Sequence, residues 1–383
     1  MTRVAIPFNR PNLAGSETRY LAEAIAAGPL AGDGPFTKRA TALLMKLLDA
    51  PAALLTTSCT HALDMAALLL DLRPGDEVVV PSFTFCSTAN AFALRGAVPV
   101  FVDCRPDTLN LDERLVEAAI TDRTKAIVVV HYAGVGCEMA AIQAIADRHG
   151  LPIVEDNAHG LGATYRGRPL GSFGALATQS FHETKNVQCG EGGALVFNDL
   201  QYLDRAEIIR EKGTNRGQFF RGLIDKYRWM DIGSSYLPSD LLAAFLTAQL
   251  EHFADSQRQR LHVWDTYHRE LADWAVQQGA LQPTVPSDRQ HPAHLYYLLL
   301  PDLDTRHGLL KHLAARGVHA TFHYQPLHLA PAGLHFGRTG PGGCPVTEDV
   351  ADRLIRLPLF AGLHGHELDW IVESVRSYEP RLP

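Results

Sequence analysis

Between residues 63 and 154 the chain repeats one pattern four times: an apolar helical stretch, a glycine or turn, then a short run rich in β-branched residues. Residues 63–72 precede Pro74-Gly75 and the run 77–80; residues 89–95 precede Gly96 and Val98–Val102. Residues 115–120 lead into 126–130, and 140–149 into Gly150 and 151–154. Strands separated by helices cannot pair as hairpins, so this alternation predicts an α/β fold with a large, mostly parallel sheet covered by helices on both faces. At 383 residues the chain has room for a second, smaller unit. Residues 1–240, with an N-terminal arm, read as the large α/β domain. Residues 241–383 read as a linking helix and a small α+β domain.

Flanking signals complete the outline. Ser16 is positioned to cap a helix running to Ala27, which Gly28-Pro29 ends, and a second helix runs toward Asp49-Ala50-Pro51. Past Lys212 the pattern changes: a long helix over 239–271, a strand at 294–300, a helix at 304–316 stopped by Gly317, a strand at 318–323 and a terminal helix at 366–378.

Ligands of such sheets gather beyond the carboxyl ends of the strands. Here those ends read Ser82-Phe83-Thr84-Phe85, Asp103, His131-Tyr132, Glu155-Asp156-Asn157-Ala158-His159 and Ser180-Phe181-His182. Each alone is ordinary turn chemistry. Together they predict one cleft.

With 46% hydrophobic and 20% charged residues and a formal charge of -7, the composition excludes a basic nucleic-acid surface or a polybasic membrane face. The first seven residues carry no apolar leader and no apolar run is long enough to span a bilayer, which points to a cytoplasmic protein. The six cysteines include no C-x-x-C pair, so no zinc site or disulfide framework is expected.

Three features of the cleft carry chemistry. Thr57-Ser58-Cys59-Thr60 stands at a helix start, where free N–H groups favour an anion such as a phosphate; a plain cap reads the same way. Asp156 ends a buried apolar strand, where a carboxylate needs a cationic or N–H partner, and a pyridinium would serve. Lys185, flanked by Thr184 and Asn186, would become a Schiff-base-forming amine if desolvated, although a lone lysine is ordinarily a solvated charge. Gly190–Gly193 lacks the Gly-Lys-Ser/Thr of a Walker loop, and Gly160-Leu161-Gly162 lacks the third glycine of a dinucleotide motif.

Five anchors in order, Pro7–Pro11, Pro81–Phe85, Glu155–His159, Ser180–Asn186 with Gly190–Ala194, and His323–His328, make the chain resemble the DegT/DnrJ/EryC1/StrS family of sugar aminotransferases over nearly its whole length. The resemblance implies a fold-type I enzyme using pyridoxal 5'-phosphate (PLP). It makes Lys185 the Schiff-base lysine, Asp156 the partner of the pyridine nitrogen, Phe85 the aromatic stacked on the ring and His159 the residue near the ring hydroxyl. Cys59, Thr60 and Ser180 match phosphate-binding positions. Ser235 stands where many relatives carry an asparagine that reaches the phosphate from a neighbouring subunit, and the family match around Gly233–Asp240 implies a homodimer with each active site at the subunit boundary.

Ser180–Asn186, Glu211–Arg216, Phe219–Gly222, Asp225–Tyr227 and Asp231–Tyr236 resemble more closely the branch that makes nucleotide-linked 4-amino-4,6-dideoxygalactose. That branch would place Tyr324 and His328 near the sugar, with Arg216, Arg221 and Lys226 available to a diphosphate. The implied reaction takes the amino group of L-glutamate to C4 of dTDP-4-keto-6-deoxyglucose, with ping-pong kinetics. Relatives that build antibiotic sugars use other 4-keto sugars, including UDP-linked pentoses. Lyases of the family carry histidine in place of the lysine, and Lys185 argues against that reading. A non-catalytic sugar-binding regulator would not need both Lys185 and Asp156. A metal hydrolase built on His323 and His328 lacks an H-E-x-x-H pattern, so no metal is expected.

Overall fold

The computed structural model describes residues 5–379. Its centre is an eight-stranded sheet. We number the strands along the chain: β1 Ala52–Thr56, β2 Glu77–Pro81, β3 Val98–Val102, β4 Thr124–Val130, β5 Ile153–Asp156, β6 Leu176–Ser180, β7 Gly193–Phe197, β8 Tyr296–Leu299, β9 Arg338–Thr339 and β10 Leu354–Leu357. The large sheet runs β1-β7-β6-β5-β4-β2-β3-β9. From β6 to β9 neighbouring strands are parallel, while β7 runs antiparallel to both β6 and β1.

The four repeats form as expected, with helices Cys59–Leu69, Ser87–Ala93, Glu113–Ala119 and Met139–His149 each preceding a strand. Residues alternate between the faces: Val78, Val80 and Val128 pack with Leu63 and Ala66, while Val79, Ile127 and Val129 pack with Met139 and Ile142. Both faces are therefore dry, which is why these strands read as unbroken Val/Ile runs; each such side chain contributes roughly 1.5–3 kcal/mol on burial.

The first helix, Glu17–Ala27, begins after Ser16, but the Ser16 side chain makes no capping bond. Glu17 turns back instead and accepts the N–H groups of Ala14 and Gly15 at 2.6 and 2.8 Å. The expected helix over 239–271 is two helices, Asp240–Glu251 and Phe253–Glu270, that break at His252. The expected strand at 318–323 is an extended segment that bridges only at Val318 to Ile6 and at Thr321 to Arg356. The two-stranded sheet beside it is β8 with β10, antiparallel. Its core joins Trp264, Tyr267, Tyr296, Ile355 and Ile371. β9 extends the edge of the large sheet, where Arg338 forks onto buried Glu77 at 2.7 and 3.0 Å. Among the described residues no helix is long and apolar enough to cross a membrane, and no His/Cys/Asp/Glu group is arranged to hold a metal.

Candidate active site

Register aligns the strand ends: Pro81 lies opposite Val102, Val130 opposite Asp156, Asp156 opposite Thr178, Ser180 opposite Gly193 and Thr56 opposite Gly193. Because β7 is reversed, its start rather than its end joins this rim. The segments carrying Cys59, Phe85, Asp156, Ser180 and Lys185 therefore open on one side of the sheet.

Asp156 is buried and its carboxylate is fixed by two donors, the Thr88 hydroxyl at 2.7 Å on one oxygen and the Ala158 N–H at 3.2 Å on the other. Thr88 is itself bonded to Thr84 at 2.9 Å. Burial pushes the Asp156 carboxyl above its ordinary range, with Thr88, Ala158 and Lys185 acting against it. A cationic N–H at its free lone pairs would restore the charge. Behind it, Glu155 accepts His131 at 2.8 Å and the N–H groups of Gly171, Phe173 and Gly174, so a second buried carboxylate is fully satisfied within the sheet.

Lys185 sits in a loop closed by backbone bonds from its own N–H to His182 O and from Glu183 N–H to Gly190 O, both 2.9 Å. Asn9 of the N-terminal arm donates to Glu183 O at 3.2 Å. Desolvation lowers the Lys185 amine to about 8, opposed by Cys59 and Asp156 and assisted by Arg356 and Arg260. The neighbouring Asn186 ties the loop to the C-terminal half through Pro292 O at 2.6 Å and the His294 ring at 2.9 Å.

His159 is buried, with its ring stacked on that of His294 at 4.1 Å and its Nδ1 without a partner. Burial, then Lys185 and Arg356, hold it neutral, well below the ordinary histidine value. Phe85 is 57% exposed, whereas Phe83 two residues earlier is 1% exposed. An aromatic ring standing open at a cleft mouth, 6.5 Å from Tyr324, offers a face for stacking.

At the helix start, Ser58 caps by accepting His61 N–H at 3.1 Å, and the Thr60 hydroxyl bonds Ser87 at 2.8 Å. The Cys59 thiol donates to Thr178 at 3.4 Å, and burial pushes its ionisation far up, so it is inert. A Cβ on Gly193 would stand 2.4 Å from the Cys59 nitrogen. The strand thus crosses the helix start at a distance only glycine allows. This glycine looked like part of an ordinary loop in the sequence.

A flat pyridine aldehyde phosphate suits these groups: a carboxylate wanting an N–H, an open aromatic face, a buried amine and a helix start. The Tyr324 ring lies 5.6 Å from that of Phe83 and 6.5 Å from that of Phe85. His328 is buried with both ring nitrogens engaged, by Ser82 at 2.7 Å and Glu348 at 3.1 Å, so contact with a sugar would have to displace one of them.

Arg216, Arg221 and Ser235 are not brought to this cleft. They line a separate groove of about 360 Å³ with Asp33, Arg210 and Glu211. Arg216 pairs with Glu211 and Arg221 with Glu207, while Lys226 is exposed. Residues that the sequence did not single out are Thr88, His294 and Arg356; Gly193 was read there only as part of the Gly190–Ala194 anchor, with no close approach to the helix start.

The profile of the DegT/DnrJ/EryC1/StrS aminotransferase family matches residues 11–376. The spore coat polysaccharide biosynthesis protein SpsC of Bacillus subtilis is 32% identical over 381 residues, 97% of this chain and 96% of that protein. The aminotransferase TlmJ of Streptoalloteichus hindustanus superposes with a TM-score of 0.89 at 31% identity, covering 97% and 98% of the two chains. DesV of S. venezuelae, solved in complex with a ketimine intermediate, gives 0.87 at 32% identity over 96% and 95%.

Proposed function

The chain belongs to the DegT/DnrJ/EryC1/StrS family and is a PLP-dependent sugar aminotransferase; from that premise we propose that it moves the amino group of L-glutamate to C4 of a nucleotide-linked 4-keto sugar. The sugar we favour is dTDP-4-keto-6-deoxy-D-glucose, giving dTDP-4-amino-4,6-dideoxy-D-galactose and 2-oxoglutarate. The branch motifs at Ser180–Asn186 and Glu211–Arg216 support that choice over a UDP-linked 4-keto pentose. We assign residues 1–240 to cofactor binding and 241–383 to the linking helices and small domain, and place the protein in the cytoplasm with its substrates.

The observation that carries the proposal is a buried amine, lowered to about 8 in the loop after β6, near enough to the buried carboxylate of Asp156 for each charge to act on the other. Bound there, PLP supplies a carbonyl for amines and a protonated ring that takes up the electrons of a breaking C–H bond. Asp156 would keep the ring nitrogen protonated, Phe85 would offer a face to the ring, His159 would stand toward the ring hydroxyl, and Cys59, Thr60 and Ser180 would hold the phosphate at the start of the helix Cys59–Leu69. Lys185, neutral in a substantial fraction of molecules near pH 8, takes the proton from the α-carbon of glutamate and later delivers one to C4 of the sugar. Tyr324 and His328 face the sugar, and Arg216, Arg221 and Lys226 meet the diphosphate.

The placement of Ser235, Arg216 and Arg221 in a groove apart from Lys185 supports a homodimer in which these residues serve the cleft of a second copy. Phe220, Leu223, Trp229 and Met230 in the same segment are 56–80% exposed, as befits a surface that a partner covers.

The test is amino transfer by purified protein with glutamate and a panel of dTDP- and UDP-linked 4-keto sugars, with Lys185→Ala alongside. Turnover with dTDP-4-keto-6-deoxyglucose in the wild type only is expected. Undiminished turnover in Lys185→Ala would overturn the assignment.

A further inference from the structure

Thr88 stands in the first turn of the helix Ser87–Ala93 and is fully buried. Three other residues of this helix, Ala89, Ala91 and Phe92, belong to the apolar core. A hydroxyl in such surroundings is costly unless bonded, and in a helix it ordinarily bonds a carbonyl of its own chain turn. This one does neither by default: it donates to Asp156 Oδ2 at 2.7 Å and meets the Thr84 hydroxyl at 2.9 Å. A hydroxyl has one proton, and Thr88 gives it to the carboxylate, so the second bond is donated by Thr84. The result is a chain that runs one way, Thr84 to Thr88 to Asp156, and is buried along its whole length. Thr84 immediately precedes Phe85, so residues 84–88 carry both the open aromatic face and the donor to Asp156. Ser87, the residue before Thr88, bonds the Thr60 hydroxyl at 2.8 Å at the helix start.

We propose that Thr88 is a positioning residue for the reaction: the hydrogen bond it donates to Oδ2 keeps Asp156 ionised and stops it turning, so that the carboxylate holds the proton of a ring N–H without taking it.

A buried carboxylate beside a pyridinium has two outcomes. It can accept the N–H as a hydrogen bond, which leaves the positive charge on the ring. It can also take the proton, which discharges the ring and removes the electron sink. Each hydrogen bond donated to the carboxylate favours the first outcome. Two are present here, and the Thr88 bond at 2.7 Å is shorter than that of Ala158 N–H on Oδ1 at 3.2 Å, so Thr88 supplies the stronger. The titratable groups that act on Asp156, or are acted on by it, are Lys185, His131, Cys59 and Tyr324. Among the described residues none of these four donates a hydrogen bond to it, so a single change at Thr88 removes the strongest donor and leaves every charge in place.

The inference rests on the transaminase reading above. The experiment is a pH titration of the absorbance of PLP bound through Lys185, with kcat measured alongside. A charge on the ring acidifies the nitrogen that joins Lys185 to PLP; as that charge weakens, this nitrogen keeps its proton to higher pH. Thr88→Val keeps the shape and loses the donor. Its absorbance transition should move up by about one pH unit and kcat should fall about tenfold, the scale of one hydrogen bond to a charged group. Thr88→Ser restores the hydroxyl and should bring the transition back to within about 0.3 unit of wild type. In Asp156→Asn the ring has no carboxylate, so adding Thr88→Val should shift the transition by less than about 0.3 unit, as befits a residue that acts only through Asp156. Ser87→Ala, which releases Thr60 from the same helix turn, should leave the transition where it is. A transition that is unmoved or lowered in Thr88→Val would overturn the proposal, as would an equal rise in Ser87→Ala or an undiminished rise in the Asp156→Asn background. If Thr88→Val does not fold, Thr88→Cys decides, because a thiol is a much weaker donor: a rise of about half a unit or more supports the proposal and no rise refutes it. A wild type that aminates no keto sugar defeats the functional reading instead. A wild type that does so while Thr88→Val titrates normally defeats only this inference.

Discussion

The cleft around Lys185 and the segment from Glu211 to Tyr236 are built on opposite principles. In the cleft, Asp156, Glu155 and Asn186 each find donors or acceptors inside the same chain, and strand register sets their positions. The second segment folds back on itself through single bridges, Glu211 to Ser235 and Thr214 to Trp229. Its arginines pair with surface carboxylates and its aromatics face outward, with Trp229 80% exposed. On our reading, the reacting groups of the first region come from a single chain, and the second region serves the cleft of a second copy. Recognition of the nucleotide end is thereby assembled between two subunits.

The largest effects should fall on the complete region. Lys185→Ala should lower kcat by ~10³-fold or more in either half-reaction, the scale of losing a positioned acid–base group. Asp156→Asn keeps the shape but not the charge and should cost roughly 10²-fold in kcat with little change in KM for the sugar, measured by steady-state kinetics. If the two variants were equally harmless, the cleft would not be the reaction centre.

The incomplete region should respond in assembly and affinity. Trp229→Glu should weaken self-association by ~10-fold or more in sedimentation, with activity falling in step with dimer content. Mixing Lys185→Ala subunits with Arg216→Ala/Ser235→Ala subunits should restore activity above either parent, because one site of each mixed dimer then carries neither defect. A monomeric species with full activity would erase the distinction between the two regions. Arg216→Ala alone should raise KM for the sugar nucleotide by roughly 3- to 10-fold, leaving kcat nearly intact, since exposed charge pairs are weak.

The smallest effect is one of pH. The Lys185 amine, lowered to about 8 by burial, is neutral in the folded apoprotein above that pH and protonated in an unfolded chain until about 10.4. Between those limits the unfolded state binds the extra proton, so apoprotein stability rises with pH there; below about pH 8 both states are protonated and the contribution is flat. Lys185→Met should remove that slope in urea melts. Capture of PLP should likewise quicken with pH and level off above about 8.

Much of the cleft was legible because its residues lie at the ends of strands whose order follows from simple alternation. Asp156 and Lys185 could be named from that logic and from family motifs together. The flanking strands were not legible. Ala52–Thr56 is a short apolar run compatible with helix or strand, and Gly193–Phe197 opens with the glycines of an apparent loop. Only pairing with each other and with β6 makes them strands. The break at His252 separates a largely buried helix from a polar, amphipathic one, and no Gly or Pro stands at the junction to announce it. Arg356 was invisible for a different reason. An arginine in a four-residue strand reads as a solvated charge, and its lack of a carboxylate is a property of three-dimensional surroundings.

The most direct measurement is to reduce PLP-loaded protein with borohydride and map the attached group by peptide mass spectrometry. The account predicts one labelled peptide, containing Lys185, whose labelling disappears when glutamate is added before reduction. Label on another lysine, or label at Lys185 that glutamate does not displace, would contradict it.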